Sequence, residues 1–142
     1  MELSSGRRDI SEEPMLRLDL ERSPEAPSLA RAAIVGFFEG HDLSPSAVAT
    51  LTLLVSELVS NAVIHSDAPA ASVISLRARP LDDGSVRVEV TDQGSGFTPV
   101  PRDQERHRGG YGLYLVDKQA TRWGVDRKDG VRVWFELPSD DG

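Results

Sequence analysis

Leu16, Leu18 and Leu20 alternate with Arg17, Asp19 and Glu21, the period of a strand that buries one face. After Pro24 and Pro27, residues 28–38 carry apolar side chains at helical spacing, which predicts a first helix ending near Gly40. Ser44-Pro45 then supplies an N-cap oxygen and a first-turn proline, so a long helix should run from about residue 45 to 65. Residues 73–78 and 86–91 flank Asp82-Asp83-Gly84 and read as the two strands of a hairpin whose register the extra turn residues leave open. In the second of these strands Val86, Val88 and Val90 alternate with Arg87, Glu89 and Thr91, so one face is packed.

Residues 93–109 break this pattern. They are rich in glycine and proline, have no apolar period, and make a loop longer than compact domains keep without a reason, such as a ligand lid. A third helix should follow over residues 111–120. Strands near 123–126 and 131–137 come next, joined by Asp129-Gly130, with Val131, Val133, Phe135 and Leu137 on the packed side. The order predicts an α+β two-layer sandwich: a mixed sheet of about five strands with about three helices on one face. It spans residues 14–137, between a polar tail at 1–13 and an acidic one at 138–142, with no internal repeat and no second domain.

Composition narrows the picture. The 142 residues include 39% hydrophobic side chains and no cysteine, which fits one core held by packing, without disulfides or thiolate zinc sites, and makes the cytoplasm the default compartment. No apolar run approaches the roughly 20 residues of a membrane span, and the start of the chain lacks a secretory stretch, so no membrane association is expected. A net charge of -7 opposes direct nucleic-acid binding. The basic cluster Arg102, Arg106, His107 and Arg108 stands out in this acidic chain and is either a phosphate contact or a solvated loop.

Three segments carry candidate chemistry. Glu57, Asn61 and His65 are each four residues apart, hence offset by about 40° on an ideal helix, and form one stripe. A carboxylate there can orient or deprotonate a nucleophile, and a neutral amide oxygen can ligate magnesium without repelling phosphate. The same stripe can equally be the polar rim of an amphipathic helix, and His65 near the helix end suits the terminal carbonyls better than a metal. Asp92 ends a strand before Gly94 and Gly96. A carboxylate only accepts, so it would choose adenine, whose exocyclic amine donates, over guanine; otherwise the segment is an ordinary turn. Gly109, Gly110 and Gly112, ahead of Leu113, open a helix whose backbone N–H groups can converge on an anion, or they form a flexible joint. The Lys-Ser or Lys-Thr of a Walker loop and the spacing of a dinucleotide fingerprint are both missing.

In this order the segments resemble the GHKL (Bergerat-fold) ATPase superfamily over roughly residues 14–137, and most of all its anti-sigma factor serine/threonine kinases. Residues 56–65 are similar to their N-box, residues 92–96 to their G1 box and residues 110–113 to their G2 box. The resemblance implies ATP and Mg2+ as cofactors, with Asn61 on the metal, Glu57 activating the phosphate acceptor and Asp92 reading the adenine amine. It places further nucleotide contacts at Ala62, His65, Gly94, Gly96, Phe97, Arg108, Gly109, Gly110, Tyr111, Gly112 and Leu113. The acceptor it implies is a serine or threonine of an anti-anti-sigma (STAS-type) protein. The resemblance also implies a sigma factor as partner, which kinases of this family usually bind as homodimers. Histidine kinase activity is not expected, since no phosphoacceptor dimerisation domain is present. One departure lies in the last strand, where the family often carries serine or threonine near position 132 and this chain has Arg132. A noncatalytic nucleotide-sensing module of the same fold, or an interaction domain without nucleotide, are the alternatives.

Overall fold

The structure is a computed structural model that describes residues 15–66, 68–69, 71–93 and 112–140. Strand β1 (Leu16–Glu21) leads into helix α1 (Ala26–Phe38) and helix α2 (Pro45–His65). Strands β2 (Val73–Pro80) and β3 (Val86–Asp92) follow, then helix α3 (Gly112–Gln119) and strands β4 (Arg122–Asp126) and β5 (Val131–Leu137). Helix α1 starts two residues ahead of the expected position because Pro27 is tolerated in its first turn, where no N–H is needed. Strand β2 runs on through Arg79 and Pro80, and the register left open by the sequence pairs Pro80 with Val86.

The five strands form one sheet in the order β1-β2-β3-β5-β4, and every neighbouring pair is antiparallel. The sheet is therefore not mixed as expected. Strands β3 and β4 do run in the same direction, as a crossover through α3 requires, but β5 turns back from β4 and inserts between them, so no parallel pair forms.

One face of the sheet is packed. Ile74, Leu76, Val88, Val90, Val133 and Phe135 alternate inward and meet the buried stripe of α2, which includes Leu51, Leu54, Val55, Leu58 and Val59. Ser44 begins that helix as expected, its Oγ accepting the Ala47 N–H at 3.0 Å. Against the expectation from the sequence, α2 is long and apolar enough by length and hydropathy alone to cross a bilayer. Its buried apolar side chains are instead the spine of the domain core, while Leu53 and Ile64 are exposed, and its polar side chains include Glu57 and Asn61.

The opposite face carries charge. Arg87 pairs with Glu89 and Glu136, and Arg132 with Asp126 and Glu89. Among them lies Trp134, its ring centroid 4.2 Å from the Arg87 guanidinium.

Candidate functional site

Two buried polar side chains face one apolar cleft. Its walls are Leu58, Asn61 and Ala62 from α2, Val90 and Asp92 from β3, Leu113 from α3, and Val131 and Val133 from β5. Asn61 and Asp92 are 8% and 4% exposed, so both sit at the protein interior rather than on a solvated rim. A mostly apolar slot with a few fixed polar groups suits a flat heterocycle that offers a donor at its edge.

Asp92 is the last residue of β3, paired across the sheet with Ile74 on one side and Val131 on the other. Its Oδ1 accepts from Arg22 Nη1 at 3.1 Å, and both side chains are almost fully buried. The same Nη1 donates to the carbonyl of Ala62 at 3.0 Å, and Nη2 reaches the carbonyl of Ser66 at 3.4 Å. One guanidinium thus joins the end of β1, the C-terminal end of α2 and the end of β3. These charge-assisted bonds also satisfy helix-end carbonyls.

Asn61 lines the cleft from α2, and its amide makes no hydrogen bond to another described residue. A neutral amide oxygen with no competing partner among the described residues has the chemistry of one ligand of a hard cation such as Mg2+. No cluster of three or more acidic, histidine or cysteine side chains exists among the described residues to hold a metal by protein alone. Glu57 lies one turn earlier, half-buried, and burial raises its carboxyl above the ordinary glutamate value. A group shifted in that direction is a better proton acceptor near neutral pH when ionised.

The sequence expectation therefore meets the structure unevenly. Asn61, Ala62, Asp92 and Leu113 come together on the cleft, and Gly112 opens α3 beside Leu113. Glu57 and His65 share the helix face with Asn61 but are not among the residues that line the cleft. Gly94, Gly96, Phe97, Arg108, Gly109, Gly110 and Tyr111 lie outside the described residues, as does the rest of the basic cluster. Arg132 belongs to the opposite face of β5, where it pairs with Asp126, while its neighbours Val131 and Val133 line the cleft. Its departure from the family pattern is thus directed away from this site.

Arg22 was missing from the expected set. A signal for it exists, because Arg22 continues the phase of Leu16, Leu18 and Leu20 and so places a cation where the pattern asks for an apolar side chain. A charge in the buried phase calls for a partner.

A family model described as Histidine kinase-like ATPase domain matches residues 20–136. The chain belongs to that family. Within the histidine kinase-like ATPase family, it is 30% identical over 124 residues to an anti-sigma F factor of Caldanaerobacter subterraneus subsp. tengcongensis, covering 82% of this chain and 86% of the relative. It is 24% identical over 137 residues to the serine-protein kinase RsbW of Staphylococcus aureus, covering 87% and 86%. Among solved structures, the RsbU and RsbW domains of a Mycobacterium tuberculosis protein share the fold. The TM-score is 0.71 at 22% identity, over 88% of this chain and 32% of that one.

Proposed function

We propose that this chain binds magnesium-ATP in the cleft between α2, α3 and the sheet. It transfers the γ-phosphate to a serine or threonine of an anti-anti-sigma (STAS-type) partner and thereby controls a sigma factor. The observation that carries the reading is the convergence of the buried Asp92 and Asn61 on one apolar cleft, with Glu57 a helical turn away. The relatives' names, anti-sigma F factor and serine-protein kinase, support the same assignment.

In this reading Asp92 accepts the exocyclic amine of adenine while Val90, Val131 and Val133 pack against the ring. Asn61 would hold Mg2+, which when bound neutralises charge on the triphosphate. Glu57 accepts the proton of the acceptor hydroxyl as that oxygen attacks the γ-phosphorus, the bond to the bridging oxygen breaks and ADP leaves; a carboxyl raised by burial suits that task. Between Gln93 and α3 the sequence would supply the phosphate contacts of Arg108, Gly109 and Gly110. The same reading has the kinase act as a homodimer.

The test is a thermal melt with and without magnesium-ATP on the wild type and Asp92→Ala, followed by γ-phosphate transfer to a purified STAS-type partner. A shift that Asp92→Ala removes, with transfer that Glu57→Ala removes, is the expected pair of results. No shift in the wild type would sink the proposal. A second reading, a nucleotide-sensing module without catalysis, is favoured by the place of Glu57 outside the cleft lining. ATP binding with no transfer to any STAS-type partner would select it.

A further inference from the structure

We infer that Arg22 is a positioning residue for base recognition, setting the preference of the cleft for a 6-aminopurine over a 6-oxopurine through its hold on Asp92. The inference rests on the adenine reading of that cleft.

The geometry of a single nitrogen carries the argument. Nη1 of Arg22 has two hydrogens fixed in the guanidinium plane. One goes to the carbonyl of Ala62 and the other to Oδ1 of Asp92, at 3.0 and 3.1 Å. Binding the first therefore fixes the direction of the second. Ala62 itself lines the cleft, so the carboxylate is referenced to the wall that faces the ligand and not to a remote part of the fold. The contact of Nη2 with the Ser66 carbonyl closes the arrangement at the end of α2, just after the helix has presented Asn61 and Ala62.

A structural role alone explains less. A buried ion pair is poor value as a stability device, because apolar side chains of similar volume often stabilise as well or better. Here the pair joins side chains 8% and 5% exposed across 70 residues of sequence, at the edge of the cleft. A planar fork can serve three acceptors on two elements at once, which an ammonium on a flexible stem does not reproduce. Holding an acceptor-only group still is what discrimination between an amine and a carbonyl requires. A carboxylate free to swing away would escape the repulsion that rejects a 6-oxopurine.

The experiment compares wild type, Arg22→Lys and Arg22→Gln for affinity toward magnesium-ATP and magnesium-ITP by competition with a fluorescent nucleotide. Melting temperatures without nucleotide are recorded in parallel. The wild type should favour ATP over ITP by on the order of a hundredfold or more. Arg22→Gln should bring the ratio below about tenfold, through weaker ATP binding together with relieved rejection of ITP. Arg22→Lys, which keeps the charge and protects the fold, should fall between the two while melting close to the wild type. Equal losses for both nucleotides, or an unchanged ratio in whichever variants fold, would overturn the inference and leave Arg22 a structural residue. A wild type that binds ATP selectively while the variants keep that selectivity defeats this inference alone. A wild type without ATP binding or without selectivity defeats the proposed function as well.

Discussion

Gly130 closes on Asp92: a Cβ built on Gly130 would stand 2.4 Å from the Asp92 carbonyl oxygen, and Gly130 itself has φ +101°. The β4–β5 turn thus packs directly on the backbone of the residue that ends β3 and lines the cleft. Gly130→Ala combines a left-handed backbone with a clash against main chain, which has no side-chain freedom to relieve it. The expected cost is about 1–3 kcal/mol, a loss of roughly 2–12 °C in Tm. Any nucleotide-induced shift should shrink with it. The neighbouring Asp129, at φ 61°, is an informative control, because Asp129→Gly should be neutral or slightly stabilising there. Equal losses for the two variants in differential scanning calorimetry would contradict the clash.

Glu57 makes stability depend on pH in a definite direction. Burial raises its carboxyl above 4.5 in the folded state. Between the ordinary value and the raised one the folded protein binds more protons than the unfolded chain, so stability falls as pH rises through that window. Its contribution is greatest below the unfolded value. Glu57→Gln removes the penalty, so the variant should be more stable than the wild type at pH 7 and lose that advantage below about pH 4.5. If Glu57 is the base, the same variant should lose about 10²–10⁴ in phosphotransfer rate, and the wild-type rate should decline on the acid side at a pH above the usual glutamate range. Urea melts across pH together with a pH–rate profile check both halves.

Asn61→Ala separates stability from metal binding. The amide makes no hydrogen bond within the described protein, so its removal should change unfolding free energy by under about 1 kcal/mol. For the wild type, magnesium-ATP at a hundred times its dissociation constant should add about 2.7 kcal/mol, or roughly 5–11 °C. In the variant the part of that shift lost when EDTA is added should vanish, while the magnesium-independent part survives. An EDTA effect as large in Asn61→Ala as in the wild type would remove Asn61 from the metal.

Much of this was legible in the chain because periodicity reports burial directly. Val86, Val88 and Val90 gave a strand and its buried side together, and Ser44-Pro45 marked the start of α2 to the residue. Asp92 and Asn61 were readable as candidate site residues because of the glycines after one and the helical spacing around the other, and both line one cleft. The antiparallel insertion of β5 was not readable. Local patterns state which face of a strand is buried, and the identity of its neighbours depends on pairs as far apart in sequence as Val86 and Leu137. Arg22 escaped for a related reason, since its meaning lies in a partner 70 residues away.

Gly124 tests whether the two faces of the sheet act independently. A Cβ there would lie 2.8–2.9 Å from the Trp134 indole, which rests over the glycine on the face away from the cleft. Gly124→Ala should push the ring off the sheet and weaken its contact with Arg87, shifting Trp134 emission to longer wavelength. Trp123→Phe as background isolates that signal. Nucleotide affinity should stay within about twofold, because Val131 and Val133 present the other side of β5 to the cleft. A loss of affinity beyond tenfold would show that the faces are coupled.

The order of strands also has a consequence for synthesis. Strand β5 is last in sequence but lies second from the edge, between β3 and β4, and it supplies Val131 and Val133 to the cleft. A nascent chain that has emerged only through β4 holds Arg22, Asn61 and Asp92 yet lacks one wall, with β3 left as an open sheet edge. A ligand that needs this complete cleft would therefore have to wait until the ribosome has delivered nearly the whole domain, and until then β3 is an unpaired edge open to wrong partners.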